Sequence, residues 1–209
     1  MLFESRQIIR INISDDWSAS DIATFLHELD YLYNLGLRIV AAATSNEQER
    51  QIEMWAEKSV LSDHIKKQYP RAELEVCQIH YSSPGFTDLG GMGTVIGHIK
   101  DFILRLIDYR VQARRRTLED DLIVTENAKK NLENEAILLK NVQLRIENAR
   151  QFLELAKNNG FTEGEIKKLI PPVVQVQETL ARLVSDGRIQ SVELRADVPK
   201  SADEQKMLS

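Results

Sequence analysis

Cysteine is nearly absent from this 209-residue chain, and proline and glycine are sparse. The single cysteine, Cys77, cannot form a disulfide within the chain, so the sequence does not call for an oxidising compartment. Five prolines and nine glycines are too few for a collagen-like or low-complexity chain. Hydrophobic residues make up 43% of the sequence, which is enough for a packed core.

Long apolar runs are also missing. No stretch approaches the ~18 consecutive apolar residues that a membrane span requires. The first residues show no basic leader followed by an apolar run, as a secretory signal would. The net charge of −5 disfavours a protein that mainly coats nucleic acid. We therefore expect a cytoplasmic protein without a transmembrane segment.

Strand-like patterns concentrate in the first 93 residues. Residues 7–14 alternate isoleucines with polar residues, which predicts a half-buried strand. A short apolar run at 37–44 and a mixed run at 72–81 predict two more strands. Because helical patterns separate these runs, the sequence predicts an α+β fold that starts with a small α/β-type head of about three strands, residues 1–93.

Two helices are expected within this head. The first begins at a capping box formed by Ser18 and Asp21, and Gly36 supplies its C-terminal stop. The second has its own apolar face and ends before Pro70.

Residues 94–160 read as a long helical segment. Within it, hydrophobic residues recur in a heptad pattern, which predicts a coiled coil or a long helical hairpin. The alternative, a helix packed on its own head and C-terminal helices, stays open. The predicted oligomer seam consists of Leu118, Leu132, Leu139, Val142, Ile146 and Leu153.

The C-terminal part, residues 161–195, is expected to contain helices and a possible short strand. Thr162 and Glu165 form a capping box at the start of a helix. The Pro171-Pro172 pair is expected to interrupt that helix. The polar residues 196–209 predict a disordered tail.

A glycine-rich segment is the most suggestive candidate for a ligand site. It follows a predicted strand and precedes a helix, the position at which α/β proteins bind phosphates. Neither a Walker sequence nor the glycine spacing of a dinucleotide fold is present, so a hinge between head and helices is the competing interpretation. The candidate ligand-binding residues are Ser82, Ser83, Gly85, Gly90, Gly91 and Gly93.

This segment also carries a resemblance. A strand ending at Tyr81, the sequence Ser83-Pro-Gly-Phe86, a glycine-rich turn and a long charged helix resemble a group of uncharacterised bacterial proteins. The resemblance covers roughly residues 72 to 170. It implies a bacterial cytoplasmic protein and transfers no catalytic residue.

One basic cluster stands out in the helical part. It consists of Arg110, Arg114, Arg115 and Arg116. Binding to phosphate or to an anionic membrane surface is one interpretation, and a solvated helix face balanced by nearby acidic residues is the other. Since few aromatic residues accompany the arginines, nucleic acid is a disfavoured partner. A membrane surface is possible but also disfavoured.

No catalytic, metal-binding or cofactor-binding constellation is recognisable. The four histidines lack metal-ligand spacing, and Cys77 is expected to be a core residue in a strand. We expect no cofactor, and the sequence favours a protein that is not an enzyme.

The leading functional expectation is an assembly or adaptor protein that acts through helical self-association or through docking of a protein partner. The alternative is a head that uses residues 82–93 as a nucleotide- or phosphate-binding site or as a catalytic site for such ligands.

Overall fold

The computed structural model describes residues 6–14, 17–44, 73–80, 85–120 and 142–195. The strands in these ranges are β1 (Arg6–Ile13), β2 (Glu75–His80), β3 (Gly85–Met92) and β4 (Ile189–Arg195). The helices are α1 (Ala19–Thr44), α2 (Gly93–Asp120), α3 (Glu154–Asn158) and α4 (Glu163–Ser185), and a helical segment at 142–152 precedes α3.

The described strands form one sheet in the order β2-β3-β1-β4, and every neighbouring pair is antiparallel. β1 and β2 are therefore parallel to each other with β3 between them, which is a split βαβ arrangement. The α+β class is confirmed, but the sheet formed by the described residues has four strands instead of about three. The predicted division at residue 93 stays a prediction, although β4 from the C-terminal part lies in the same sheet as β1.

One face of the sheet is covered by the helices. Ile9, Ile11 and Ile13 alternate along β1 and are almost completely buried. Their period of two places all three on the helical side, as the sequence predicts. They join residues of all four helices in one hydrophobic cluster.

The prediction of a strand at 37–44 is wrong, because these residues continue α1. Gly36 likewise does not end the helix. Its neighbours Leu35, Leu37 and Ile39 are all buried, so this part of α1 is covered on several sides. A helix buried in this way produces a continuous apolar run, which periodicity alone does not separate from a buried strand.

The start of α4 matches the prediction, and its middle does not. Thr162 and Glu165 form both hydrogen bonds of a capping box. Pro171 and Pro172 lie inside the helix instead of interrupting it. Leu169 and Val173 are fully buried on either side of them, and Pro171 lies on the exposed side, so the buried face of the helix continues past the prolines.

A coiled coil is not found in the described part of the helical region. Leu153 of the predicted seam is fully buried in the core of this chain, and so are Ala149 and Ala156, which continue the spacing of seven from Val142. Leu132 and Leu139 lie outside the described residues. None of the described helices combines the length and the hydropathy needed to cross a membrane.

Candidate functional site

The prediction of a glycine-rich loop is wrong for its described part, residues 85–93. Gly85, Gly90 and Gly91 belong to β3, and Gly93 is the first residue of α2. β3 pairs with β1 on one side and β2 on the other, so its backbone is engaged in the sheet. Ser82 and Ser83 lie outside the described residues. Ligand binding by this segment stays a prediction, and its described part, residues 85–93, is a strand and the start of a helix instead of a loop.

Close packing explains the two adjacent glycines of β3. A Cβ atom on Gly91 would lie 2.5 Å from the Tyr33 ring, and one on Gly90 would lie 2.6 Å from Nη2 of Arg6. The Tyr33 hydroxyl oxygen accepts a hydrogen bond of 2.7 Å from the backbone N–H of Met92. Glycine is therefore needed at position 91, where α1 and its tyrosine approach the strand backbone closely, whereas Gly90 meets only side-chain atoms of Arg6 and Cys77.

The outer face of the sheet, opposite the helices, carries a stacked polar cluster at its centre. Arg10 donates from Nε and Nη2 to the two carboxylate oxygens of Asp88, at 2.7 and 2.6 Å. Its guanidinium also lies 3.7 Å from the centroid of the Phe86 ring, and the ring of His80 stacks on Phe86 at 5.2 Å. The hydrogen bonds with Asp88 raise the pKa of Arg10 further above its usual value.

A second group of polar residues lies at the β2 edge of this face. Arg6 forms an ion pair with Glu75, and its Nη2 is 3.3 Å from Sγ of Cys77. Cys77 is exposed, so the expectation of a core cysteine is wrong. The β2–β3 register shifts between Val76 and Gln78, and this bulge at Cys77 disturbs the alternation on which the expectation relied.

The charged side chains described on the outer face occur in ion pairs. Cations and carboxylates occur together in the pairs Arg6–Glu75, Arg10–Asp88 and Arg195–Glu193. Binding of a nucleic acid backbone requires an excess of Lys and Arg, which these paired residues do not supply.

The predicted basic cluster is divided. Arg110 lies on α2 beside the turn that joins α4 to β4, where a Cβ on Gly187 would be 3.0 Å from its Nη2. Arg114, Arg115 and Arg116 lie in α2, but their side chains are outside the described part of the structure. Contact with an anionic partner stays a prediction for these residues.

The helical segment 142–152 lies beside α2. Phe152 contacts Phe102 edge to face at 5.7 Å between ring centroids. The charge of Glu154, just beyond the segment, also acts on His98. Phe152 is thus opposite Phe102, and Glu154, which comes later in the chain, is near His98, which comes earlier than Phe102. The segment 142–152 and α2 therefore run antiparallel. The same segment is tied to α4 by an ion pair between Arg145 and Glu178 at 2.7 Å.

The predicted seam residues in this segment fall into two environments. Leu153 is fully buried in the core. Val142 is 47% exposed and Ile146 37% exposed, and both lie on one face because they are four residues apart. Val111 on the neighbouring α2 is 48% exposed. Leu118 lies in α2, but its side chain is outside the described part of the structure.

A small cleft separates α2 from the segment 142–152. It is lined mainly by His98, Phe102, Arg105, Gln151 and Phe152. Burial lowers the pKa of His98, while the charges of two nearby acidic residues oppose that shift. Within the described residues, no group of three or more metal-ligating side chains is found.

Sequence comparisons add no relative. No protein-family model matches the chain, and no curated protein and no solved structure matches it either. No family is shown. The resemblance to bacterial proteins gains no support from these comparisons, and functional conclusions depend on the geometry described above.

Proposed function

We propose that the protein is a non-enzymatic assembly protein of the cytoplasm that self-associates through its helices. The observation that carries this proposal is the exposure of three aliphatic side chains, Val111, Val142 and Ile146. These side chains belong to two adjacent antiparallel helices. We infer that they form one apolar strip, because antiparallel packing around Phe102 and Phe152 brings the later part of α2 to the level of residues 142–146.

The sequence supports a second copy of the chain as the occupant of this strip. Leu132 and Leu139 precede Ile146 at intervals of seven residues, the spacing of a helical interface. Hydrophobic residues on this repeat favour association with another helix of the same pattern. Two copies related by a two-fold axis would bring identical strips together, as in most homodimers.

Absolute mass in solution tests the proposal. We expect light scattering on a sizing column to give an oligomer for the full chain and a smaller mass for Ile146→Asp. The charge would be placed in an apolar contact, where it has no partner. Gln143→Asp is the matched control. Gln143 is exposed on the same segment, and its replacement by aspartate introduces the same charge.

The two variants must also be compared for folding. Both should retain the melting temperature of the parent monomer, because both side chains are exposed in a single chain. If Ile146→Asp keeps the parental mass, or if Gln143→Asp lowers it equally, the helical strip is not the interface.

A further inference from the structure

The end of β4 presents a regular strand edge. β4 pairs with β1 on one side, and among the described strands none pairs with its other side. The irregularity in this pairing lies between the partners of Asn12 and Ile13, so the stretch Ser191–Arg195 is regular. A regular edge leaves N–H and C=O groups that can extend the sheet with another strand.

Three consecutive side chains near this end have complementary character. Leu194 is opposite Ile9 and therefore lies on the helical side, yet it is 40% exposed. Glu193 and Arg195 lie on the outer side, where they form an ion pair at 3.0 Å within the strand. One negative and one positive group thus flank an exposed leucine.

We propose that two copies of the chain pair through their β4 edges, antiparallel and around a two-fold axis at Leu194. This interface is separate from the helical strip and does not depend on it. The axis is perpendicular to the sheet, so both copies keep their helices on the same side. In this register residues 193–195 of the two copies are opposite one another, and they join the four described strands of each copy into one eight-stranded sheet.

Symmetry restricts the possible registers. Residues directly opposite each other in a sheet have side chains on the same face. The two-fold axis must therefore pass between one residue and the same residue of the second copy, which lie directly opposite each other. An axis at Glu193 or at Arg195 places like charges opposite each other, which is unfavourable.

The axis at Leu194 gives the complementary arrangement. Each Glu193 is then opposite the Arg195 of the second copy, and this pair occurs twice. On the helical side the two Leu194 side chains meet and cover each other. An axis at Val192 would place Glu193 opposite Ser191 and would leave Leu194 without its copy. Charge and hydrophobic contact thus both select Leu194.

Disulfide trapping tests the register. In a Cys77→Ser background, Leu194→Cys should form a covalent dimer in mild oxidant, because opposite residues have Cα atoms about 4.5–5.5 Å apart. Ser191→Cys is the control, since it is exposed on the same strand. Its two copies would be ~20 Å apart along the paired strands and should not cross-link. Equal trapping of both variants, or of neither, overturns the proposal.

Charge reversal tests the interface without a new cysteine. Glu193→Arg places four arginines around the axis, and we expect the dimer dissociation constant to rise about tenfold, which corresponds to about 1.4 kcal/mol. The double variant Glu193→Arg/Arg195→Glu exchanges the charges and should restore the parental constant. An unchanged constant in the single variant, or no recovery in the double variant, contradicts the pairing.

The same measurements separate the two proposed interfaces. If only the helical strip fails, Ile146→Asp keeps the parental mass while Leu194→Cys still cross-links. If only the β4 pairing fails, Ile146→Asp lowers the mass while Glu193→Arg has no effect. A parental chain that is monomeric at all concentrations overturns both.

Discussion

The side chain of Tyr33 joins α1 to the β3–α2 junction. Its hydroxyl oxygen accepts a hydrogen bond from Met92 N–H at 2.7 Å, and its ring lies where a Gly91 side chain would have to be. Tyr33 is completely buried. The residue therefore satisfies a backbone donor at the end of a central strand and at the same time requires glycine beside it.

We expect Gly91→Ala to reduce the free energy of unfolding by about 1–3 kcal/mol, because the new methyl group overpacks the site. Tyr33→Phe should also reduce it by about 1–3 kcal/mol, since Met92 N–H loses its partner in a partly buried position. Urea denaturation measures both values. Parental stability in Gly91→Ala would show that the ring moves away easily.

A second glycine is predicted to be needed for contact between two helices. Gly36 is inside α1, and a Cβ there would lie 2.6 Å from Cγ1 of the buried Val95. Gly36→Ala should therefore reduce the free energy of unfolding by about 1–3 kcal/mol.

Gly97 is the matched control for this helical glycine. It lies in α2, and a Cβ there meets no heavy atom within 4 Å. Gly97→Ala should leave stability unchanged or raise it by up to about 1 kcal/mol, because alanine favours the helix. The same denaturation series measures both variants, and equal effects would contradict the role of the Val95 contact.

The ion pair between Arg10 and Asp88 should contribute far more than an exposed pair. Their side chains are 15% and 10% exposed, so removing one partner leaves the other charge nearly buried. We expect Asp88→Ala to reduce the free energy of unfolding by about 3 kcal/mol or more. This loss should persist in high salt, because a partly buried pair is screened little.

The control for this prediction is the pair Arg145–Glu178, in which both side chains are about half exposed. Glu178→Ala should change the free energy of unfolding by at most about 1 kcal/mol. Similar losses for Asp88→Ala and Glu178→Ala would show that burial does not determine the contribution of these pairs.

The protonation of His98 should make the protein less stable in mild acid. Burial lowers the pKa of this histidine in the folded chain, and the charges of Asp101 and Glu154 oppose the shift without reversing it. The unfolded chain then binds the proton more readily, so stability falls as the pH decreases below about 6.5 and continues to fall until the folded pKa is passed.

Melting temperatures between pH 8 and pH 5 test this expectation. Relative to His98→Gln, the parental chain should lose stability as the pH falls, because the variant has no group to protonate there. Arg105 also lines the cleft, and its charge is the same in both proteins. If the difference between the proteins stays constant, the acidic neighbours cancel the effect of burial on the pKa of His98, and if it changes in the opposite direction, they outweigh it.

Several local features follow from the order of residues alone. The alternation of Ile9, Ile11 and Ile13 correctly predicts β1 and the face that it buries. The capping boxes at Ser18 and at Thr162 both form, because each requires residues only three positions apart. Such patterns report contacts within one turn or one strand, and these are encoded locally.

Other features depend on residues that are distant in the chain, and for these the sequence patterns give wrong predictions. The run at 37–44 is a helix since its surroundings bury it on several sides, and Gly91 and Gly90 of β3 lie against Tyr33 and Arg6. Cys77 is exposed because β2 bulges at an edge of the sheet. None of these relationships has a signal at short sequence separation.

The sequence by itself determined the α+β class, β1, the helix starts at Ser18 and Thr162 and the absence of a recognisable catalytic motif. The tertiary structure alone decided the strand order, the pairing of β4 with β1 and the exposure of Leu194 and Ile146. The physical reason is the separation along the chain over which each interaction acts. Backbone propensity and capping act between neighbours in the chain, whereas strand pairing and burial depend on segments that meet only after folding.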